Sequence, residues 1–414
     1  MVREQISHNI LSSHHYKVRN HSIINIIIFI IYGLVGIGMV LFQENQYMMT
    51  TMFYTVTILS SVTFASLYQN TKIPFLSSAF YVISFLILFF VLGFRNYSGI
   101  DDTSYKNIFF NVSEHGFVGQ FIETKLEPGY LLLNYFVSLF TDNYLYMQLL
   151  SSFIPLALFY YRFKKNSSFM SISLAVFLLA TLIYFQMLSV SLIRMFIAVS
   201  IVFNAYSYIH QKKLWKYIVV ILVASTFHYS ALAMLLLCYF CINTQNLSRK
   251  SKRFIIITFL LLPFVFIGIN KLLIPILGGR YAAYTSINDF NVSVATFDTI
   301  PVILLLLWFF KKYNDGNQSK NALLLKTFVT IYSLSFVFSF YGGMFSLGRL
   351  LFYSVTALFI AAPMISYKLN GTAQKITFDS VIIIYGFMYV YWTQLLLESH
   401  FHSLFPYKNL FFNF

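Results

Sequence analysis

Apolar runs of about 20 residues recur along nearly the whole chain, and no other feature constrains the fold as much. A helix of that length crosses roughly 30 Å of hydrocarbon at 1.5 Å per residue. In lipid every backbone N–H and C=O must be satisfied within the segment, so such runs become helices. Composition agrees: 58% of the 414 residues are hydrophobic and only 10% charged, whereas a soluble domain carries about 25% charged residues. The chain therefore reads as an all-α, polytopic transmembrane helical bundle. Its +15 formal charge is not a nucleic-acid footprint, because the basic residues fall in short clusters between apolar runs, as cytoplasmic loops do.

In chain order, residues 1–22 read as a basic cytoplasmic tail. Its His8, His14, His15 and His21 match no metal-site spacing. No cleavable signal peptide is expected, since the first run is long enough to span and no small-residue cleavage site follows it. Residues 23–397 form the polytopic domain. Its first three spans are 23–42, 48–68 and 75–94, followed by a polar outer loop at 95–129. Within that loop Phe109, Phe110, Phe117 and Phe121 recur near helical spacing, as in a segment lying along the interface. A short apolar helix at 130–140 leads into spans 144–161, 169–188 and 192–209.

Residues 217–242 read either as one span or as two short arms, 214–226 and 230–242, parted at Phe227-His228. A single span would put Arg249, Lys250, Lys252 and Arg253 outside, so the split is preferred. Spans at 254–269, 299–310, 323–340, 347–365 and 381–397 complete about thirteen crossings. The N-terminus is then cytoplasmic and residues 398–414 form an extracytoplasmic tail. Of the 28 lysines and arginines, only Arg95, Lys106, Lys125, Arg194, Lys271, Arg280, Arg349 and Lys408 fall outside. Cys238 and Cys241 have C-x-x-C spacing but no further ligand set, and read as small buried residues.

The outer face carries the unusual chemistry. Between residues 92 and 130 lie Asp101, Asp102, Glu114, Glu123 and Glu127, and charges this close to hydrocarbon mark functional candidates. Arg95, Arg194, Arg280 and Arg349 sit at outer helix ends, and His228 at the turn between the two arms. A guanidinium at a helix N-terminus opposes the dipole, so helix stability does not explain these arginines. A planar fork that stays charged at any pH suits a phosphate, and N–H groups at the same helix ends add donors. For any one arginine alone, a snorkelling side chain explains as much.

Four motifs in this order resemble the EpsG family. They are Arg95 with Gly99-Ile100-Asp101 and Tyr105; Glu127-Pro128-Gly129-Tyr130; Ser191-Leu192-Ile193-Arg194 with Ala198 and Ser200; and Phe227-His228-Tyr229-Ser230-Ala231-Leu232. The resemblance runs from about residue 93 to 407, and Met195 stands where family members often have Gln. It implies a polytopic bacterial membrane protein of exopolysaccharide or capsule synthesis, similar in role to Wzy-type polymerases. Its implied substrate is an undecaprenyl-pyrophosphate-linked glycan handled at the outer leaflet, with the pathway's chain-length regulator and flippase as further partners.

In such a reaction a growing glycan leaves its lipid pyrophosphate for a sugar hydroxyl of a second lipid-linked repeat unit. Arginines stabilise the departing charge, so Arg194 is a catalytic candidate and no metal or other cofactor is called for. His228 and Asp101 are the candidate bases for the acceptor hydroxyl. Arg95, Arg280, Arg349, Asp102, Tyr105, Glu127 and Tyr130 are the candidates for binding pyrophosphate and glycan. A flippase or transporter of the same lipid is the alternative from another class, favouring midplane charges and repeated halves. A membrane O-acyltransferase, favouring a mid-helix histidine, is the other. A cysteine placed near Asp102 is expected to react with an impermeant thiol reagent in intact cells, and one near Lys250 is not. Labelling near Lys250 would make residues 217–242 a single span.

Overall fold

A computed structural model of the chain describes residues 46–96, 101–182, 191–238, 294–313, 320–340, 348–369, 371–396 and 407–411. The expected spans at 23–42 and 254–269, the 249–253 basic cluster, Cys241 and Arg280 lie outside the described residues. What is described is helical, apart from one antiparallel bridge between Arg95 and Asn409. Five segments are long and apolar enough to cross a membrane: Met48–Asn70, Pro74–Gly93, Ile193–His210, Lys320–Ser339 and Arg349–Lys368.

Helices α1 (Gln46–Asn70) and α2 (Pro74–Gly93) form an antiparallel hairpin, with Pro74 at the first turn where its missing N–H costs nothing. Ser61 and Ser84 donate to each other's carbonyls at 2.9 and 2.8 Å, and the Tyr160 hydroxyl meets both. Polar side chains inside an apolar bundle find one another in this way. The expected outer loop at 95–129 is mostly helix α3 (Asp102–Thr124), and the expected short apolar helix at 130–140 is α4 (Pro128–Ser138). Helix α3 kinks at Gly116, whose φ of +70° suits a residue without Cβ. Its phenylalanines divide: Phe109 is fully buried, while Phe110 and Phe121 are exposed.

Helix α5 (Tyr144–Asn166) follows, its first turn capped by the Asn143 side chain. Helices α6 (Ile172–Leu179), α7 (Ile193–His210) and α12 (Leu358–Lys368) are buried along most of their lengths and make the centre. A helix apolar on every side belongs in such a position. Helices α9 (Val294–Tyr313), α10 (Lys320–Phe340), α11 (Gly348–Val355) and α13 (Thr372–Leu396) complete the bundle.

The stretch around residue 228 is not one helix. Helix α8 (Leu214–Ser225) stops, His228 takes an extended backbone at φ −156°, and a 3-10 helix runs over Tyr229–Leu237. Twelve residues of α-helix and nine of 3-10 helix each rise about 18 Å, well short of the hydrocarbon thickness. The break is pinned by the start of α4, where the Gly129 N–H donates to the Thr226 carbonyl at 2.7 Å.

The bundle has two chemically distinct ends. Parallel α5 and α7 join near their C-terminal ends through Arg162, which donates to the Asn204 side chain and carbonyl and to Ser207. That end also collects Lys164, Lys165, Lys213 and, through the contact of Ser171 with Pro363, the α12 terminus at Lys368. The starts of α4, α7 and α11 and the turn at His228 gather at the other. A Cβ at Gly129 would stand 2.3 Å from Thr226 Oγ1 and 2.9 Å from its carbonyl oxygen. Gly129→Ala is therefore expected to cost about 1–3 kcal/mol as overpacking, read as a lowered Tm in detergent. An unchanged Tm would mean that α4 and the turn are not in this contact.

Candidate functional site

The site begins with a proline. Pro128 opens α4 and holds Glu127 in an extended backbone (φ −58°, ψ 123°) just ahead of the helix. Arg194 is the second residue of α7, after the turn at Ser191-Leu192. Arg194 Nη1 donates to Glu127 Oε2, and the Glu127 side chain is only 3% exposed. The guanidinium carbon also stands 5.9 Å from the Tyr105 ring centroid, a cation–π distance. The Tyr105 hydroxyl donates to the Ser191 carbonyl at 3.0 Å, tying α3 to the turn that carries Arg194. Burial pushes the Tyr105 hydroxyl above its ordinary pKa, while Arg194 pulls it down. Tyr130 packs edge-on against Tyr105 at 5.7 Å.

The Gly129–Thr226 contact carries the His228 turn to the same place. Among the described residues, Glu127, Arg194 and Arg349 all act electrostatically on the His228 ring. Burial, first, and the two guanidiniums lower its pKa to about 4, against an opposing pull from Glu127. His228 Nδ1 accepts from the Ser230 N–H at 3.3 Å and meets the Ser230 hydroxyl at 2.7 Å. That hydroxyl in turn lies 2.9 Å from the Tyr353 hydroxyl. Tyr353 follows Arg349 by four residues on α11, hence on the same helix face.

The structure thus brings together Arg194, Glu127, His228, Arg349, Tyr105 and Tyr130. Asp101 precedes α3 and acts electrostatically on Tyr105. A motif model described as "EpsG family" matches residues 78–409. The chain belongs to the EpsG family. This makes it a membrane protein of the polysaccharide-polymerase type. No curated protein and no solved structure matches it.

Two of the expected ligand-binding residues have a different setting. Arg95 is 2% exposed, and its guanidinium donates to the Leu92 carbonyl (2.8 Å), Ser152 (3.4 Å) and Asp102 (3.5 Å). Residues 407–411 close over it: Asn96 N–H donates to the Lys408 carbonyl and Leu410 N–H to the Phe94 carbonyl, both at 2.9 Å. Gln148 donates to the carbonyls of Gly93 and Arg95. Arg95 and Asp102 in this EpsG-family chain are a buried pair that ties the end of α2 to α3, α5 and the tail. Sequence alone gives no role to Ser230 or Tyr353: Ser230 lies in the motif at residues 227–232, and the four-residue spacing of Tyr353 from Arg349 is the one signal for it.

Removing one partner of a buried pair leaves an uncompensated charge and costs about 3–5 kcal/mol. Arg95→Ala is therefore expected to deplete the folded protein, read as membrane abundance and Tm in detergent. Normal abundance with lost polymer would instead return Arg95 to the ligand site.

Proposed function

We propose that this EpsG-family protein is a bacterial polysaccharide polymerase of capsule or exopolysaccharide synthesis. It transfers a glycan from its undecaprenyl pyrophosphate to a sugar hydroxyl of a second lipid-linked repeat unit. The anomeric C–O bond to the pyrophosphate breaks and a C–O bond to the acceptor oxygen forms. The hydroxyl proton passes to a base, and the lipid pyrophosphate departs with the bonding electrons.

The observation that carries this reading is the state of Arg194. Its Nη1 is paired with Glu127, yet its Nε–H is buried with no acceptor among the described residues. A buried donor left without a partner costs roughly 1–3 kcal/mol, and a phosphate oxygen would satisfy it. Arg349 and the start of α7 add positive potential beside it. Such a site favours a group that gains negative charge in the transition state. Tyr105 and Tyr130 are buried against Arg194 and each other and hold the guanidinium in place.

The positive-inside rule supports a cytoplasmic position for the Arg162 and lysine end. The Arg194 end then opens toward the outer leaflet of the plasma membrane. About thirteen crossings, with the N-terminus inside and the C-terminus outside, remain the topology that fits this arrangement.

A deletion strain is expected to accumulate single lipid-linked repeat units. Long lipid-linked chains in that strain would place the protein at a later step. Arg194→Lys keeps the charge but loses the fork; it is expected to lower polymer yield by on the order of 100-fold, as the loss of one transition-state donor does. Wild-type chain length and yield from Arg194→Lys, at equal abundance, would remove Arg194 from the site.

A further inference from the structure

We infer that His228 serves this site as a neutral hydrogen-bond donor through Nε2, with Ser230 and Tyr353 as positioning residues, and that it is not the base. The inference rests on the polymerase reading and assigns a role within it. A ring nitrogen that accepts a hydrogen bond carries no proton of its own. Nδ1 accepts from the Ser230 N–H at 3.3 Å, and a backbone amide cannot reverse its role. The neutral ring therefore holds its proton on Nε2.

The hydroxyl contacts fit this tautomer: with Nδ1 an acceptor, the Ser230 O–H 2.7 Å away can donate to it, and Ser230 Oγ is left to accept from the Tyr353 hydroxyl at 2.9 Å. To take a proton on Nε2, a neutral His228 would first have to move its own proton to Nδ1, against the Ser230 N–H. Nε2 itself makes no hydrogen bond among the described residues.

The charges around the ring point the same way. Arg194 from α7 and Arg349 from α11 oppose a third cation, and the carboxylate that acts on the ring among the described residues, Glu127 from α4, is already paired with Arg194. With its pKa lowered to about 4, the ring stays neutral across the pH range of growth. A neutral imidazole at this place can donate to a phosphate oxygen of the leaving group or to the acceptor sugar. The acceptor proton goes instead to a carboxylate, Glu127 once an anion replaces it on Arg194, or Asp101.

Substitutions at residue 228 separate the roles. Asn keeps a cap acceptor for the Ser230 N–H but has no donor at the Nε2 position, whereas Gln places an amide N–H there without basicity. The full-length variants are expressed in the deletion strain, and lipid-linked products are measured in its membranes with its own repeat unit as substrate. His228→Gln is expected to retain about a tenth or more of wild-type polymer, and His228→Asn to lose on the order of 100-fold. The wild-type rate is expected to show no loss with a midpoint near the ordinary histidine pKa of about 6.5. Tyr353→Phe is expected to lower kcat several-fold with KM and pH profile unchanged.

Three results would overturn the inference: Gln as inactive as Ala together with a rate falling below about pH 6.5, which is a base; full activity of Asn, which is a turn cap only; or a Tyr353→Phe enzyme identical to wild type. Where His228→Gln does not accumulate, the wild-type pH profile and Tyr353→Phe decide. Absence of single repeat units in the untransformed deletion strain would sink the polymerase reading itself, whatever the variants do.

Discussion

The ion pair between Arg194 and Glu127 joins the start of α7 to the start of α4 where both side chains are largely withdrawn from solvent. Removing two charges from water costs several kcal/mol each, and only close geometry with further hydrogen bonds recovers that loss. The neighbouring structure supplies the geometry. Pro128 holds Glu127 extended, the Tyr105 hydroxyl fixes the Ser191 turn, and the Gly129–Thr226 contact draws the α8 break against α4. Apart from α7, these elements are too short or too polar to cross the membrane alone. Their common reason for meeting is that each satisfies a polar group of another.

The same economy recurs away from the site. Arg95 and Asp102 hold the tail against α2 and α3, and Arg162 is met by the side chain and carbonyl of Asn204 and by Ser207. Tyr206 donates to the Tyr353 carbonyl at 2.9 Å, and Tyr217 to the Met234 carbonyl at 2.7 Å. The tyrosines thus act as long donors that reach backbone carbonyls left open where helices break. Tyr206 and Tyr217 hold α11 and the 3-10 helix, the two elements that carry Arg349 and follow His228.

The five long apolar segments were legible because length and hydropathy alone determine them, and the break at His228 because the positive-inside rule assigns the basic residues beyond it to the cytoplasm. The grouping of Arg194, Glu127, Tyr105 and His228 was legible in part, since charges at the same ends of successive spans must share a face. Arg95 looked equivalent to Arg194 in the sequence. Only the return of residues 407–411 distinguishes them, and a pairing more than 300 residues apart leaves no periodic trace. Ser230 and Tyr353 were silent for another reason. A hydroxyl within an apolar helix has the same sequence signature whether it packs or relays a hydrogen bond.

The charge balance around His228 explains why these features belong together. Among the described residues, two guanidiniums and one buried carboxylate leave the cluster net positive before any ligand arrives. A third cation on the imidazole would raise the cost of the empty site, and burial with two arginines prevents it. On the polymerase reading proposed above, a pyrophosphate that takes Arg194 from Glu127 releases the carboxylate as it binds. A carboxylate that is masked by an arginine in the empty site and released by an incoming anion needs no histidine to take the proton. The imidazole is left free to donate.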